Sequence, residues 1–453
     1  MKFPFVNCQA MRPTIIPTCL TALLLAPLAA PAQHAPTVPT ASLVGDGTHD
    51  DTAAIQALLD SRRALVYLPA PAKHYLISQP LRIHSNQTFQ LDRFTVIRLK
   101  DGSDCVMINN DDHERGNENI ALIGGVWDMN NEGQSLAEYQ KTRIWKGEYD
   151  PARYLGVLMR FNRVKRLTLR GLTLKDPVTF STQLGNLEEF TIEDIAFDHN
   201  LKRTNMDGIH VHGNSRHGRI TNLKGATNDD LVALNADDGG IFEMSRGAIE
   251  DVVVDGLWAK DGYTAVRLLS AGSPIRRIRL ANIFGTYRYN AVSFTNHKVH
   301  PGTASTFEDI SIRGLFCGKS AMGMNVDPSQ PGSSNLSLIW IDAPAVVHGL
   351  TMSDIRRTET VWPAATMFVE PGATIKALQL TQATVFNHTP GPLDLLVNRG
   401  TIEHLSLSQV NLEASEGPAR GAVIHNGGKI DKQDLQQVSV VNGAMEMVGK
   451  AAR

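Results

Sequence analysis

The chain has 453 residues, 42% of them hydrophobic and 20% charged, with a formal net charge of −2. The near-neutral balance gives no electrostatic footing for nucleic acid or an anionic membrane surface, and the apolar content excludes global disorder. Aromatic residues make up 6% while glycine occurs 37 times, which suits many short strands joined by turns.

The N-terminus reads as a secretory signal over residues 1–32. Lys2 and Arg12 supply positive charge, residues 14–27 are largely apolar, and "APA" at residues 30–32 offers a cleavage site. Pro17 and Pro27 interrupt the apolar run, and no later segment is long and apolar enough to cross a bilayer. A mature chain over residues 33–453 is therefore expected to be secreted or periplasmic, without membrane insertion. Cys8 and Cys19 would leave with the signal. Cys105 and Cys317 are expected as buried free thiols, with a disulfide as the alternative.

"GDGTHDDTAAIQALLD" at residues 45–60 combines a glycine turn, Asp50 or Asp51 as N-cap, and Ala54, Ile55, Leu58 and Leu59 at helical spacing. "ALVYLPAPAKHYLIS" at residues 64–78 then predicts two strands around a proline-containing turn. A short amphipathic helix in this place would cover the open end of a stack of strands. Further on, "WDMNNEGQSLAEYQKTRIWKGEYDPARY" is too long for a tight turn. Trp127, Tyr139, Trp145 and Tyr149, in or beside it, could overhang a cleft and stack on a ligand's rings, or simply ride on the surface.

From Val164 the chain repeats itself. "VKRLTLRGL", "LEEFTIEDI", "IEDVVVDGL", "IRRIRLANI", "FEDISIRGL", "VHGLTMSDI", "IKALQLTQA" and "IEHLSLSQV" alternate apolar and polar residues, and most close on Gly, Asp or Asn plus an aliphatic residue. "HGRITNLKG" at residues 217–225 is a degenerate copy. Each copy is a period-two strand too short to stand by itself, so the copies must stack as a solenoid. The fold class is all-β: a single-stranded right-handed parallel β-helix over residues 33–453, with catalytic coils at about residues 160–300. An antiparallel sandwich would need hairpin signals more often than they occur.

Two short motifs carry the chemistry. "NMDGIHV" (residues 205–211) precedes "NDDLVALN" (residues 228–235) by about one coil, which places Asp207 beside Asp229 and Asp230 on one outer face. Mutual repulsion should raise at least one pKa, leaving a protonated acid beside ionised partners, as inverting glycoside hydrolysis requires. An exposed aspartate ladder on a turn is the structural alternative. His210 and His212 alternate on one face next to Asp207, as substrate contacts or as a stacked ladder. Asp237 and Asp238, in "ADDGGIFEMSRGA", read as the start of an inserted loop, with Asp238 a candidate for binding a sugar hydroxyl and calcium a further alternative.

These motifs, with the opening "GDG…DDT…IQ" and "NENIALIGGVWDMNNEG" at residues 117–133, resemble glycoside hydrolase family 28, the polygalacturonase-related members of the pectin-lyase-like superfamily. The likeness runs over about residues 45–296 and is sharpest at residues 205–235. It implies Asp229 as general acid, Asp207 and Asp230 as the carboxylates that activate water, and no metal or other cofactor. The family's Gly-His-Gly region aligns with residues 261–272, where Tyr263 stands near the histidine position. Its Arg-x-Lys region aligns with residues 290–298, where Ser293 and Thr295 replace the two cations. Losing that clamp for a uronate carboxylate argues against an ordinary polygalacturonase. Arg267 must project outward or pair. Arg288 between Tyr287 and Tyr289, with His297 and Lys298 nearby, could form a sugar-binding platform. The reading is a hydrolase acting on a polysaccharide or oligosaccharide. A calcium-dependent lyase, with Arg267 or a lysine as base, and a non-catalytic glycan-binding β-helix are the rivals.

Overall fold

The apolar residues of the repeat copies stack in register because each short strand buries its inner side chains only against the strands one turn away. Val164–Arg170, Glu188–Asp198, Ser215–Lys224, Ile249–Gly262, Ile275–Tyr287, Ser305–Lys319, Leu350–Glu359, Thr374–Asn387 and Thr401–Ala414 all belong to one 18-stranded sheet. Shorter strands, among them Thr182–Gly185, Ile209–His212, Asp230–Ala236, Thr264–Ser270 and Val292–Thr295, build a 13-stranded second sheet. Pairing is parallel throughout the described strands. The architecture is a right-handed parallel β-helix, and the sandwich alternative is excluded.

The structure, a computed structural model, describes residues 43–142, 150–238, 243–297, 300, 302–322, 336–415 and 421–448. These lie in one compact unit, residues 41–453. The signal reading, with Cys8 and Cys19, lies outside the described residues, as do Trp145, Tyr149, Lys298 and the side chain of Tyr139.

The Gly, Asp or Asn that closes most repeat copies has a structural purpose. Gly171, Asp194, Asn222, Gly256, Asn282, Gly314 and Asp354 all have φ between 54° and 78°. This left-handed conformation costs glycine nothing and costs Asn or Asp little, whereas bulkier residues resist it. The residues that follow pair as Ile195, Leu223, Leu257, Ile283, Leu315 and Ile355 down the sheet, so the bends fall in one column. Each long strand therefore turns its corner at the same place. Inside, Ile192, Ile220, Val254, Leu280 and Ile312 stack in register and are buried, each contributing about 1.5–3 kcal/mol of hydrophobic stabilisation.

At the N-terminal end, helix Thr52–Asp60 lays Ile55, Leu58 and Leu59 over the first coil. Asp51 occupies the N-cap position but its carboxylate does not cap the helix. It turns back to accept the amides of Val44 (2.8 Å) and Gly45 (3.1 Å), while Asp50 accepts the amide of Thr52 at 3.0 Å. The expected helix is present, and the buried Asp51 serves as an anchor for the entering chain. Cys105 and Cys317 are both free thiols, Cys317 fully buried. No helix among the described residues is long and apolar enough to cross a membrane.

Candidate active site

Asp207 precedes strand Ile209–His212, and Asp230 opens strand Asp230–Ala236. These strands pair as Ile209 with Val232 and His210 with Ala233, and the same offset of 23 residues sets Asp207 against Asp230 on adjacent rungs, about 4.8 Å apart along the stack. Asp229 is the last residue of the loop that enters the second strand. Spacing in sequence thus becomes proximity in space, and the three carboxylates meet on the outer face of the short-strand sheet.

The two floor residues are almost fully buried, Asp207 at 1% and Asp230 at 2% exposure, and Asp229 is half-buried. Arg267, one rung further on at the register position of Ala233, brings its Nε to 2.8 Å from Asp230 Oδ2 and its Nη2 to 3.9 Å from Asp207 Oδ2. The shorter contact is an ion pair without the alignment of a hydrogen bond. Burial pushes Asp207 and Asp230 well above the ordinary carboxylate range, with Arg267 opposing the rise and the neighbouring aspartates adding to it. Burial raises Asp229 as well, against Arg267. The set therefore holds protons to higher pH than free aspartates. Arg267, taken out of water yet surrounded by carboxylates, stays protonated.

The histidines form the next layer. His210 Nδ1 lies 2.7 Å from Asp207 Oδ2, and its Nε2 lies 3.0 Å from Asn235 Nδ2. Burial pushes His210 down to about 3, so the ring is neutral, donating from Nδ1 and accepting at Nε2. Phe180 stacks on one face of this ring at 4.2 Å between centroids, and His212 lies at 4.4 Å. Gln183 and Arg160, which precede His210 on the same outer column, complete the layer: Arg160 Nε donates to Gln183 Oε1 at 2.9 Å.

The second acidic pair splits. Asp237 is a turn residue with φ of 63° whose carboxylate accepts the amides of Gly247 (2.8 Å) and Ser273. Asp238 instead points into the site, where Asn235 Nδ2 donates to its Oδ2 at 2.8 Å and His210 Nε2 stands 3.7 Å away.

Arg288 is a correction. It has no exposed surface, because its guanidinium donates to the carbonyls of Asp261 (3.0 Å) and Thr227 (3.1 Å) and to Asn228 Oδ1 (2.9 Å). It is a buried brace under the loop that presents Asp229, and no sugar-binding platform. Trp127 is likewise fully buried, edge-on to Phe89, so it overhangs nothing. An aromatic wall exists elsewhere. Half-buried Tyr263 and Tyr289 stack at 5.1 Å, and Trp340 meets Tyr289 edge-on at 6.1 Å. Ser293 and Thr295, in the expected cation positions, are buried strand residues.

Asn205 and Asn235 were not singled out from sequence. Asn205 Nδ2 donates to Asp229 Oδ2 at 3.2 Å. Its place in "NMDG" beside Asp207 was the available signal. Asn235, Gln183 and Arg160 had none before the strand register was known.

Residues 115–245 match the family model Glycosyl hydrolases family 28. The matched segment is family 28-like, and it holds Asp207, Asp229 and Asp230. Among solved structures, the chain is similar to the pre-mature bacteriophage phi29 gene product 12, with TM-score 0.57 and 15% identity over 89% of this chain and 56% of that one. It thus spans little more than half of the phage protein. It is also similar to a tailspike protein of E. coli bacteriophage HK620 in complex with pentasaccharide, with TM-score 0.55 and 13% identity over 89% and 76% of the two chains. A Yersinia enterocolitica family 28 exopolygalacturonase is similar with TM-score 0.47 and 14% identity over 90% and 77%. The first two likenesses establish the β-helix fold. No curated protein sequence matches.

Proposed function

We propose that this family 28-like protein is a secreted or periplasmic glycoside hydrolase that cleaves a polysaccharide or oligosaccharide with inversion. The observation that carries the reading is the meeting of Asp207, Asp229 and Asp230 on adjacent rungs, inside the segment that matches family 28. Asp229, the carboxyl of the three with solvent-facing surface, donates its proton to the glycosidic oxygen as the bond breaks. Asp207 and Asp230 take a proton from the water that attacks the opposite face of the sugar. Burial favours the proton on Asp207 or Asp230 even with the Arg267 guanidinium opposing it. Productive cleavage therefore requires the shared proton to pass to Asp229, with Arg267 beside Asp230 and the His210 N–H on Asp207 stabilising the ionised pair that results. Asn205 positions one oxygen of Asp229.

The aromatic wall of Tyr263, Tyr289 and Trp340 suits the apolar face of a sugar ring. With Ser293 and Thr295 where a carboxylate clamp would stand, and Arg267 committed to the acids, a neutral sugar fits better than a uronate. A lyase with Arg267 as base is disfavoured, because a guanidinium paired to these carboxylates keeps its proton. The test is digestion of a glycan panel by wild type and Asp229→Asn, with products resolved by mass and anomeric configuration. Inverted products and a loss of at least about 10²-fold in the variant are expected. Equal activity in the two proteins overturns the acid assignment.

A further inference from the structure

Behind the acid triad, several atoms that want a cation converge. His210 and His212 alternate on one strand, so both rings leave the same face, and Asp238 reaches over them from the loop after the next strand. One ligand atom from each of these three residues lies within 4.8 Å of the others. His210 Nε2 and Asp238 Oδ2 are 3.7 Å apart, close to the separation of about 3.4 Å that two ligands at zinc bond lengths subtend in a tetrahedron. His210 is oriented as metal-binding histidines are: its Nδ1 donates to Asp207 at 2.7 Å, which fixes the tautomer and leaves the Nε2 lone pair free of a proton.

One further acceptor in this cluster is unexplained by the protein itself. Asn235 Oδ1 is buried and lacks a hydrogen-bond partner, a state that native interiors seldom tolerate without an ion or water, while the His212 Nε2 lone pair meets only a long contact of 3.4 Å from Gln183 Nε2. The point between His210 Nε2 and Asp238 Oδ2 is taken by the Asn235 amide nitrogen, which donates to both at 3.0 and 2.8 Å. Two acceptors thus already converge on a partial positive charge. A half-turn of that amide would bring its oxygen to the same point as a fourth donor. The charge balance agrees: Asp207, Asp229, Asp230 and Asp238 share the single guanidinium of Arg267 as the described cation facing all four.

We propose that His210, His212 and Asp238, with Asn235 as a fourth donor, bind a divalent transition-metal ion of the zinc or cobalt type. Two imidazoles and one carboxylate select such borderline ions over calcium or magnesium, which prefer all-oxygen shells. The site lies one residue layer from the carboxylates proposed for hydrolysis, so a bound ion would brace Asp207 through His210 and hold the Asp238 end of its loop against the floor.

The experiment uses the tag-free full chain, stripped with chelator and titrated with Zn²⁺ by calorimetry and with Co²⁺ by visible absorption, in the absence of any glycan. One equivalent of Zn²⁺ per chain is expected, with a Co²⁺ spectrum of a four-coordinate site and no competition from millimolar Ca²⁺. His212→Gln and Asp238→Asn should each weaken binding by at least about tenfold, while circular dichroism of the metal-free variants matches wild type. Absence of saturable uptake overturns the proposal, as does uptake that both variants leave unchanged. Because binding is read without substrate, its failure is distinguishable from a failure of the hydrolase reading, which the digest of stripped protein tests separately.

Discussion

Replacing Arg267 with glutamine probes the electrostatics of the site at its centre. The guanidinium approaches Asp230 to 2.8 Å and Asp207 to 3.9 Å, and 17% of the side chain is exposed. At an effective dielectric constant of about 20, a pair of unit charges near 4 Å attracts by about 4 kcal/mol, against which the desolvation of arginine must be set. Removing one partner of a buried pair while the other stays charged typically costs about 3–5 kcal/mol. The loss should carry a pH signature. Asp207, Asp229 and Asp230 already sit above the ordinary carboxylate range, and without the cation they rise further. A carboxyl whose pKa is raised on folding binds more protons folded than unfolded. Its contribution is complete below the unfolded pKa and is lost as pH climbs through the folded one. The stability gap between wild type and Arg267→Gln should therefore be small near about pH 4 and widen toward about pH 8. Chemical denaturation at both values, followed by far-ultraviolet circular dichroism, reads the gap directly. A gap that is equal at the two pH values, or below about 1 kcal/mol at the higher one, refutes the reasoning.

Asp207→Asn should stabilise the protein at neutral pH, because burial raises the Asp207 carboxyl and the amide removes its charge while keeping an acceptor for His210. The same linkage makes that gain vanish in acid, which melting curves across pH would show, and glycan hydrolysis should be lost. Arg288→Met should lower kcat by about 10²-fold through displacement of the Thr227–Asn228 loop while leaving KM nearly unchanged; a change confined to KM would contradict the brace. Tyr263→Ala and Trp340→Ala should do the reverse and raise KM by removing ring-stacking area, with kcat on the best panel substrate largely kept.

The repeat copies determined the fold. Alternation of apolar residues with a closing Gly, Asp or Asn encodes both the inward ladder and the left-handed bend, and each is a local property of a few residues. The motif pair at Asp207 and at Asp229–Asp230 was legible for a related reason, since a solenoid converts a spacing of one coil into contact. Asp237 and Asp238 are adjacent and chemically identical, and nothing local to the sequence gives the physical reason their roles differ. The backbone at Asp237 is left-handed and spends its carboxylate on amides of neighbouring loops, whereas Asp238 swings over the histidines. Arg288 misled because an arginine between two tyrosines looks like a surface platform, while its destination is set by carbonyls 27 and 61 residues away in the chain. Trp127 was misplaced for the same cause: whether a side chain faces in or out of a coil depends on register. What the sequence determined by itself is which residues alternate and which recur. The tertiary structure decided which of them share a rung, because stacking joins positions whose separation depends on the length of every intervening loop.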